Sequence, residues 1–156
     1  MNNTIRLIIS ILICQSAGAI GSIFTVSSVK TWYVTLIKPS FNPPSWIFGP
    51  VWTILYTLMG ISLWIIWKQK LEGKNVKIAL TVFFIQLILN ASWSFFFFGI
   101  KNLDVAFLVI ILMWIFIAAT IYFFYRISSL AGLLQIPYLL WVSFASILNY
   151  SISKLN

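Results

Sequence analysis

Five apolar segments of about 20 residues each, separated by short polar stretches, dominate the sequence. A helix of about 20 apolar residues crosses the roughly 30 Å hydrocarbon core of a bilayer. Lipid offers no hydrogen bonds, so a spanning segment must pair its own backbone groups, which favours the α-helix. The pattern predicts an all-α integral membrane protein, a bundle of five transmembrane helices. The predicted helices cover residues 5–27, 46–67, 76–98, 105–125 and 132–153.

The composition excludes an ordinary soluble protein. Of the 156 residues, 62% are hydrophobic and 8% are charged, and the mean hydropathy is +1.03. Soluble domains carry about 25% charged residues. The sequence has no internal repeat and no change of composition that would mark a second domain. Residues 1–156 are therefore predicted to form one membrane domain.

Basic residues far outnumber acidic ones, with ten Lys and Arg against Glu72 and Asp104. In a soluble protein this excess would indicate nucleic acid as a partner. Here the basic residues lie mostly between the apolar segments, where they meet anionic lipid headgroups. The predicted partner of this charge is the lipid bilayer and not nucleic acid.

The distribution of the basic residues also predicts an orientation. An odd number of helices puts the termini on opposite sides of the membrane, and the side of the N-terminus carries more Lys and Arg. The positive-inside rule then predicts a cytoplasmic N-terminus. The short N-terminus and the frequent Ile, Asn and Lys residues favour a prokaryotic cell membrane. The N-terminal side has Arg6, Lys68, Lys70, Lys74, Lys77 and Arg126, and the other side has Lys30, Lys38, Lys101 and Lys154.

Few side chains are suited to acid–base or metal chemistry. The chain has no histidine, and Cys14 is its only cysteine. One thiol and two carboxylates do not make a typical metal site or a catalytic acid–base pair. We therefore predict no metal site and no required cofactor, and we expect function to depend on shape, aromatic surface and amides.

The later connections are predicted to be short. Gly99 is expected to end the third helix in the C′ position. Residues 68–75 are expected to form the loop after the second helix, and residues 126–131 the break before the fifth. Short connections make the neighbouring helices antiparallel.

The first connection, residues 28–45, is the longest and is rich in aromatic residues and proline. One interpretation is an interfacial anchor, in which aromatic rings lie among the lipid headgroups. The other is a lid over the mouth of the bundle, stiffened by its prolines. Its distinctive residues are Lys30, Trp32, Tyr33, Lys38, Pro39, Phe41, Pro43 and Pro44.

Stripes of aromatic and polar residues recur at helical spacing in three of the predicted helices. One interpretation is that these residues bridge and space the helices. The other is that they line a deep aromatic pocket with a few convergent polar groups. The stripes are Trp52, Tyr56, Met59, Gly60 and Leu63 in the second helix, Gln86, Asn90, Trp93 and Phe97 in the third, and Tyr138, Trp141, Ala145, Leu148 and Asn149 in the fifth.

Small residues four positions apart occur twice in the first helix, as Ala17 with Gly21 and Gly18 with Ser22. Such pairs let two helices approach closely. We expect this contact within the monomer, and the same pattern also permits a homodimer.

Short motifs of aromatic residues, proline and glycine follow one another along the sequence. In and after the first connection, the motifs are Trp32-Tyr33, Lys38-Pro39, Pro43-Pro44, Gly49-Pro50-Val51-Trp52, Leu55-Tyr56, Met59-Gly60 and Trp64. Later motifs are Leu89-Asn90 with Trp93, Phe97-Phe98-Gly99, Pro137-Tyr138-Leu139-Leu140-Trp141, Phe144-Ala145 and Leu148-Asn149-Tyr150. Together they resemble the TspO/translocator family, also called tryptophan-rich sensory protein or peripheral benzodiazepine receptor. The resemblance covers nearly the whole chain, including its length and helix number.

The resemblance implies a membrane receptor or transporter that binds tetrapyrroles such as protoporphyrin IX, and other flat apolar ligands, in a pocket beneath the first connection. The expected role is porphyrin homeostasis or stress signalling. Lys30 or Lys38 would neutralise the propionates of the porphyrin. The residues that carry over as ligand-binding are Tyr33, Pro43, Trp52, Tyr56, Asn90, Trp93, Trp141, Ala145 and Leu148.

The resemblance also implies an alternative function, a light-dependent enzyme that degrades porphyrin. Trp52 and Trp141 are then the candidate electron donors to the excited macrocycle. A third interpretation is a structural bundle that regulates a partner and whose pocket is incidental.

Overall fold

The computed structural model describes residues 2–69 and 73–156, without the side chain of Lys74. Its five long apolar helices are each able to span a membrane, which confirms the predicted all-α bundle. The chain is thus a multi-pass membrane protein. Lys70 and Glu72, predicted in the second connection, lie outside the described residues. The helices are α1 (Asn3–Lys30), α2 (Phe48–Trp67), α3 (Lys74–Ser94), α4 (Leu103–Ile127), α5 (Ser129–Leu133) and α6 (Ile136–Leu155).

The five spans form a ring, in the order α1, α2, α5 with α6, α4 and α3. The fifth span comprises the short helix α5 and the longer helix α6. We call the two ends of the bundle the N-terminal side, where α1 begins, and the lid side, where α1 ends. Because neighbours along the chain are antiparallel, α1, α3 and α6 run toward the lid side, and α2 and α4 run away from it.

A close backbone contact between α1 and α2 lies at Gly60. A Cβ atom added to Gly60 would come within 2.5 Å of the Cα of Ile11. Of the small residues of α1, Ala17 and Gly21 are buried inside the monomer and Gly18 lies against the Tyr56 ring, whereas Ser22 is exposed. A homodimer contact stays a prediction.

The end of the third span differs from the prediction. Residues 95–99 form a π-helical turn, so Gly99 is still helical and does not occupy the C′ position. Lys101 instead takes the left-handed conformation, with φ 61°. The extra turn moves the end of the helix by two residues, and the amide of Asn102 then donates to the carbonyl of Phe96 (3.0 Å). Gly99 has a packing role, because a Cβ atom there would come within 3.2 Å of the Phe24 ring.

The break before the fifth span is shorter than predicted. Only Ser128 is extended (φ −148°, ψ 118°), and residues 129–133 are already helical. A second interruption follows at Leu134 and Gln135, inside the helix predicted to begin at residue 132. Gly132 allows this fold, since a Cβ atom there would lie 2.8 Å from the Cα of Tyr125. Hydropathy does not predict a close backbone contact of this kind.

The first connection folds over the lid side of the bundle. It begins later than predicted, because α1 continues through Ser28 and Lys30, and the hydroxyl of Ser28 donates to the carbonyl of Phe98 (3.0 Å). We call residues 31–47 the lid segment. It contains two short 3-10 helices, and Tyr33 packs among Phe97 and Phe98 with 6% of its surface exposed.

Hydrogen bonds fix the path of the lid segment. The ammonium of Lys38 donates to the carbonyls of Tyr33 (2.8 Å) and Leu36 (2.9 Å). The hydroxyl of Tyr33 donates to Oδ1 of Asn42 (2.8 Å). The side chain of Asn156 accepts from the amide of Ile37 (3.0 Å) and donates to its carbonyl (2.9 Å). The lid segment is thus tied both to itself and to the end of α6.

Candidate functional site

A cavity of about 740 Å³ lies inside the bundle beneath the lid segment. Its size falls within the range of about 300–1,000 Å³ that small-molecule sites occupy. Helices α1, α2, α3 and α6 form most of its wall, and α4 contributes Ile110 and Met113.

Aromatic rings make up much of this wall. The rings of Trp52 and Tyr56 stack with their centroids 5.4 Å apart and their planes at 27°. Other parts of the wall are provided by Trp141, whose ring meets Phe48 edge-on at 6.0 Å, and by Trp93. Indole and phenol rings bury large flat surfaces and stack well on planar ligands.

A chain of buried hydrogen bonds forms the floor of the cavity. The hydroxyl of Tyr56 donates to Oδ1 of Asn90 (2.5 Å), and Nδ2 of Asn90 donates to the hydroxyl of Tyr138 (2.8 Å). The Tyr138 hydroxyl in turn approaches the sulfur of Met113 (3.6 Å). These bonds fix the orientation of the Asn90 amide and leave one of its N–H groups for another acceptor.

The indoles of the wall differ in their hydrogen bonding. Nε1 of Trp93 donates to Oδ1 of Asn149 (3.0 Å), whose own amide donates to the carbonyl of Leu103 (3.0 Å). Nε1 of Trp141 is buried and has no hydrogen-bond partner among residues 2–69 and 73–156. Trp141 therefore has a donor to offer to a ligand that enters the cavity.

The two lysines predicted to meet anionic ligand groups have different environments. Lys30 lines the cavity at the lid side. Lys38 is not part of the lining, and its ammonium is engaged by lid carbonyls. Burial raises the pKa of Tyr33, only partly offset by its bond to Asn42, so this phenol is neutral at physiological pH. Lys30 is thus the cation available to a ligand in the cavity.

The cavity reaches the lipid-facing surface between α1 and α2. Its lining there includes exposed residues of both helices, among them Ala19, Ser22 and Thr53. A Cβ atom added to Gly49 would meet nothing within 4 Å, whereas Gly60 on the same helix touches α1. The two helices therefore separate toward the lid side.

The structure gathers nearly all of the predicted ligand-binding residues around this one cavity. Pro43 is the exception: it lies in the lid segment outside the lining, and its carbonyl accepts from Nδ2 of Asn42 (3.2 Å). Whether these residues contact a ligand stays a prediction. Those that line the cavity are Tyr33, Trp52, Tyr56, Asn90, Trp93, Trp141, Ala145 and Leu148.

The two interpretations of the stripes apply to different halves of the bundle. On the lid side the stripe residues line the cavity, whereas on the N-terminal side they are packed in the core. The packed members include Met59, Leu63 and Gln86, with 0%, 3% and 0% of their surfaces exposed.

Sequence reasoning missed several lining residues. Phe48 directly precedes the Gly49-Pro50 motif, and this position in the sequence could have indicated a lining residue. Ile110 and Met113 of α4 carried no signal, because they look like any other lipid-span residue. Gln15 is a polar residue inside the apolar span α1, and its amide donates to the carbonyl of Thr53 (3.1 Å) at the cavity edge.

Comparison with known families agrees with the motifs, since the family model described as the TspO/MBR family matches residues 10–155. The chain belongs to this family. The predicted resemblance is thereby confirmed. TspO/MBR members similar to this chain occur in archaea, bacteria and animals.

The chain is 47% identical to the tryptophan-rich protein TspO of Archaeoglobus fulgidus over 100 residues, covering 64% of this chain and 63% of that protein. It is 45% identical to the Chlorobaculum tepidum protein of the same name over 102 residues, covering 65% of each. It is 40% identical to the human translocator protein over 84 residues, covering 53% of this chain and 49% of that protein. The matched regions span less than two thirds of these relatives.

Proposed function

We propose that this protein is a membrane receptor or transporter for tetrapyrroles, with protoporphyrin IX as the model ligand, and that it takes part in porphyrin homeostasis or stress signalling. The cavity beneath the lid segment is the binding site and also accepts other flat apolar molecules. The observation that carries the proposal is the set of aromatic walls around a deep cavity that Lys30 lines at the lid side.

The aromatic walls suit a planar macrocycle. The stacked rings of Trp52 and Tyr56 form one face, and Trp93 and Trp141 lie on other helices around the same space. Nε1 of Trp141 provides a donor for an oxygen or nitrogen of the ligand. Such a site combines large apolar contact with few orienting hydrogen bonds, as small-molecule pockets generally do.

The charge of the site suits the carboxylates of protoporphyrin. Lys30 is at the mouth, where a propionate of a bound porphyrin would reach the membrane interface. The chain contains no histidine, the commonest axial ligand of haem iron, so the metal-free porphyrin is the better model ligand.

A titration with two matched ligands tests this proposal. Protoporphyrin IX and its neutral dimethyl ester are each followed by quenching of tryptophan fluorescence. Lys30→Gln is expected to weaken binding of the free acid about two- to fivefold and to leave the ester unchanged. Lys154→Gln on the same side, away from the cavity lining, serves as the matched control. Absence of binding of either porphyrin at micromolar concentration would refute the proposal.

The relatives' names include translocator protein and tryptophan-rich sensory protein. Transport and sensing therefore both remain within the proposal, and reconstitution separates them. Movement of protoporphyrin across a vesicle membrane at a rate above that of empty vesicles supports transport. Binding without movement supports sensing.

Light-dependent degradation of the bound porphyrin is a second candidate function, favoured by the position of Trp52 and Trp141 on the same cavity. Each indole can donate one electron to an excited macrocycle, and dioxygen is the oxidant that the subsequent ring opening requires. Absorbance of the bound porphyrin under illumination, with and without dioxygen, tests this candidate. Loss of the porphyrin spectrum no faster than in a protein-free control would exclude it. The double variant Trp52→Phe, Trp141→Phe tests the assigned donors.

A further inference from the structure

The polar side chains of the bundle differ in their hydrogen-bond partners. Hydroxyls within the spans mostly donate to a carbonyl of their own helix, as Thr25, Thr120 and Ser146 do. Three fully buried side chains depart from this pattern. Ser10, Gln86 and Gln135 have no exposed surface, and the Ser10 hydroxyl and both amide groups have no hydrogen-bond partner in the described part of the chain.

Gln86 and Gln135 lie at one level of the bundle. Asn90 of α3 and Tyr138 of α6 are hydrogen-bonded to each other and mark the cavity floor. Gln86 precedes Asn90 by four residues, and Gln135 precedes Tyr138 by three. Because α3 and α6 both run toward the lid side, each glutamine lies about 5 Å nearer to the N-terminal side than its partner in the floor.

Ser10 reaches the same level from α1. Gly60 follows Tyr56 by one turn of α2, and it touches the backbone of Ile11, the residue next to Ser10. Ser10 therefore also lies one turn beyond the floor, and its side chain points into the bundle. None of the three residues lines the ligand cavity.

Three buried polar side chains at one level, from α1, α3 and the residue that precedes α6, need partners. A buried amide or hydroxyl without a hydrogen bond is strongly unfavourable. Buried polar groups in proteins that lack protein partners are generally satisfied by internal water, which makes about three hydrogen bonds. Apolar side chains at these three positions would leave no buried polar group without a hydrogen bond.

We propose that Ser10, Gln86 and Gln135 hold a cluster of internal water molecules one helical turn beyond the floor of the ligand cavity. The cluster continues the polar path of Tyr56, Asn90 and Tyr138 toward the N-terminal side. Toward the N-terminal side the core includes Ile66, Phe83 and Phe124, which are completely buried.

Nuclear magnetic resonance of the unaltered protein in deuterated detergent tests the proposal directly. The side-chain amide protons of Gln86 and Gln135 are expected to give cross-peaks with water in nuclear Overhauser spectra. Backbone amides of Met113 and Ile117, buried in the same core, serve as the dry control. The cross-peaks are expected to persist in Ser10→Ala, because the two amides still hold water. Their absence in the unaltered protein, or their loss in this variant, would overturn the proposal.

Thermal unfolding provides a second test. Gln86→Leu and Gln135→Leu are each expected to lower Tm by about 3 °C or more. Each substitution removes hydrogen bonds from the internal water and from the glutamine amide that remains. The double variant should lose less than the sum of the two. Gln69→Leu, at an exposed position, is the matched control and should change Tm by less than about 1 °C. A rise in Tm in either single variant would mean a dry, unpaired amide and would contradict the proposal.

Discussion

At the scale of single residues, Asn90 is the centre of the cavity floor. Its amide accepts from the hydroxyl of Tyr56 and donates to that of Tyr138, and it is 4% exposed. Three side chains from α2, α3 and α6 are therefore held by one amide. Removing the amide leaves two buried phenols without that partner, whereas removing one phenol hydroxyl affects a single bond.

We expect Asn90→Leu to lower the free energy of unfolding by about 2–4 kcal/mol, because two buried hydroxyls each lose a hydrogen bond. Tyr138→Phe is expected to cost about 1 kcal/mol. Both values are measured by denaturant unfolding in a fixed detergent. Asn75→Leu, at an exposed position near the start of α3, is the matched control. Equal losses in Asn90→Leu and Asn75→Leu would show that the network contributes nothing to stability.

Tyr33 gives a prediction on pH. Burial raises its pKa above the ordinary value of 10.0. The neutral phenol is thus favoured by folding, so its contribution to stability is complete below about pH 10 and is lost as the pH rises through the raised pKa. Amide exchange of the lid segment, corrected for intrinsic rates, should be constant from about pH 6 to 9 and should rise above pH 10. Tyr33→Phe should abolish the alkaline step, and persistence of the step in this variant would assign it to another group.

At the scale of elements, the contact between α1 and α2 shapes the cavity. The helices touch at Gly60, on the N-terminal side, and leave open space at Gly49, on the lid side. The wedge between them is part of the cavity. A methyl group is expected to be costly at Gly60 and nearly neutral at Gly49, so the two substitutions test the same packing.

Gly60→Ala is expected to destabilise the fold by about 1–3 kcal/mol, because its methyl group would overlap the backbone of Ile11, which cannot move as a side chain can. Gly49→Ala should change stability by less than about 1 kcal/mol, because its methyl group meets only the adjoining Pro50, and this contact offsets the helix preference of alanine. Thermal unfolding of the two variants in one detergent compares them. Equal losses in both variants would contradict the wedge.

Hydropathy was sufficient to predict the five spans, because lipid forces each spanning segment to be apolar and internally hydrogen-bonded. It could not predict the π-helical turn at residues 95–99 or the left-handed Lys101. Both depend on how the end of α3 packs against Phe24, a contact between distant parts of the chain. The short helix α5 likewise depends on Gly132 meeting the backbone of Tyr125.

At the scale of the whole molecule, the bundle is packed on the N-terminal side and hollow on the lid side. Helical spacing correctly placed the stripe residues on inward faces, but it could not distinguish lining from core, because both present the same periodicity. Trp52 and Met59 lie on one stripe, yet only Trp52 lines the cavity. The distinction depends on the separation of α1 and α2, which no single helix encodes.

The lid segment lies over the hollow side, and its tie to Asn156 joins the first connection to the end of the last span. The side chain of Asn156 pairs with both backbone groups of Ile37. These bonds are exposed, so their effect on global stability should be small. They hold the lid segment in a position from which it must move for the cavity to open.

Asn156→Ala is therefore expected to raise the exchange rate of the Ile37 amide about fivefold, the equivalent of one lost hydrogen bond of about 1 kcal/mol. Dissociation of a bound porphyrin should accelerate by a similar factor, with Tm almost unchanged, because the cavity walls are not altered. Hydrogen exchange and stopped-flow fluorescence measure the two rates. Ser151→Ala, a substitution at a partly exposed position of the same helix, is the control. Faster exchange at Ile37 with an unchanged dissociation rate would mean that the ligand leaves by another path, and the exposed gap between α1 and α2 is then the route to examine.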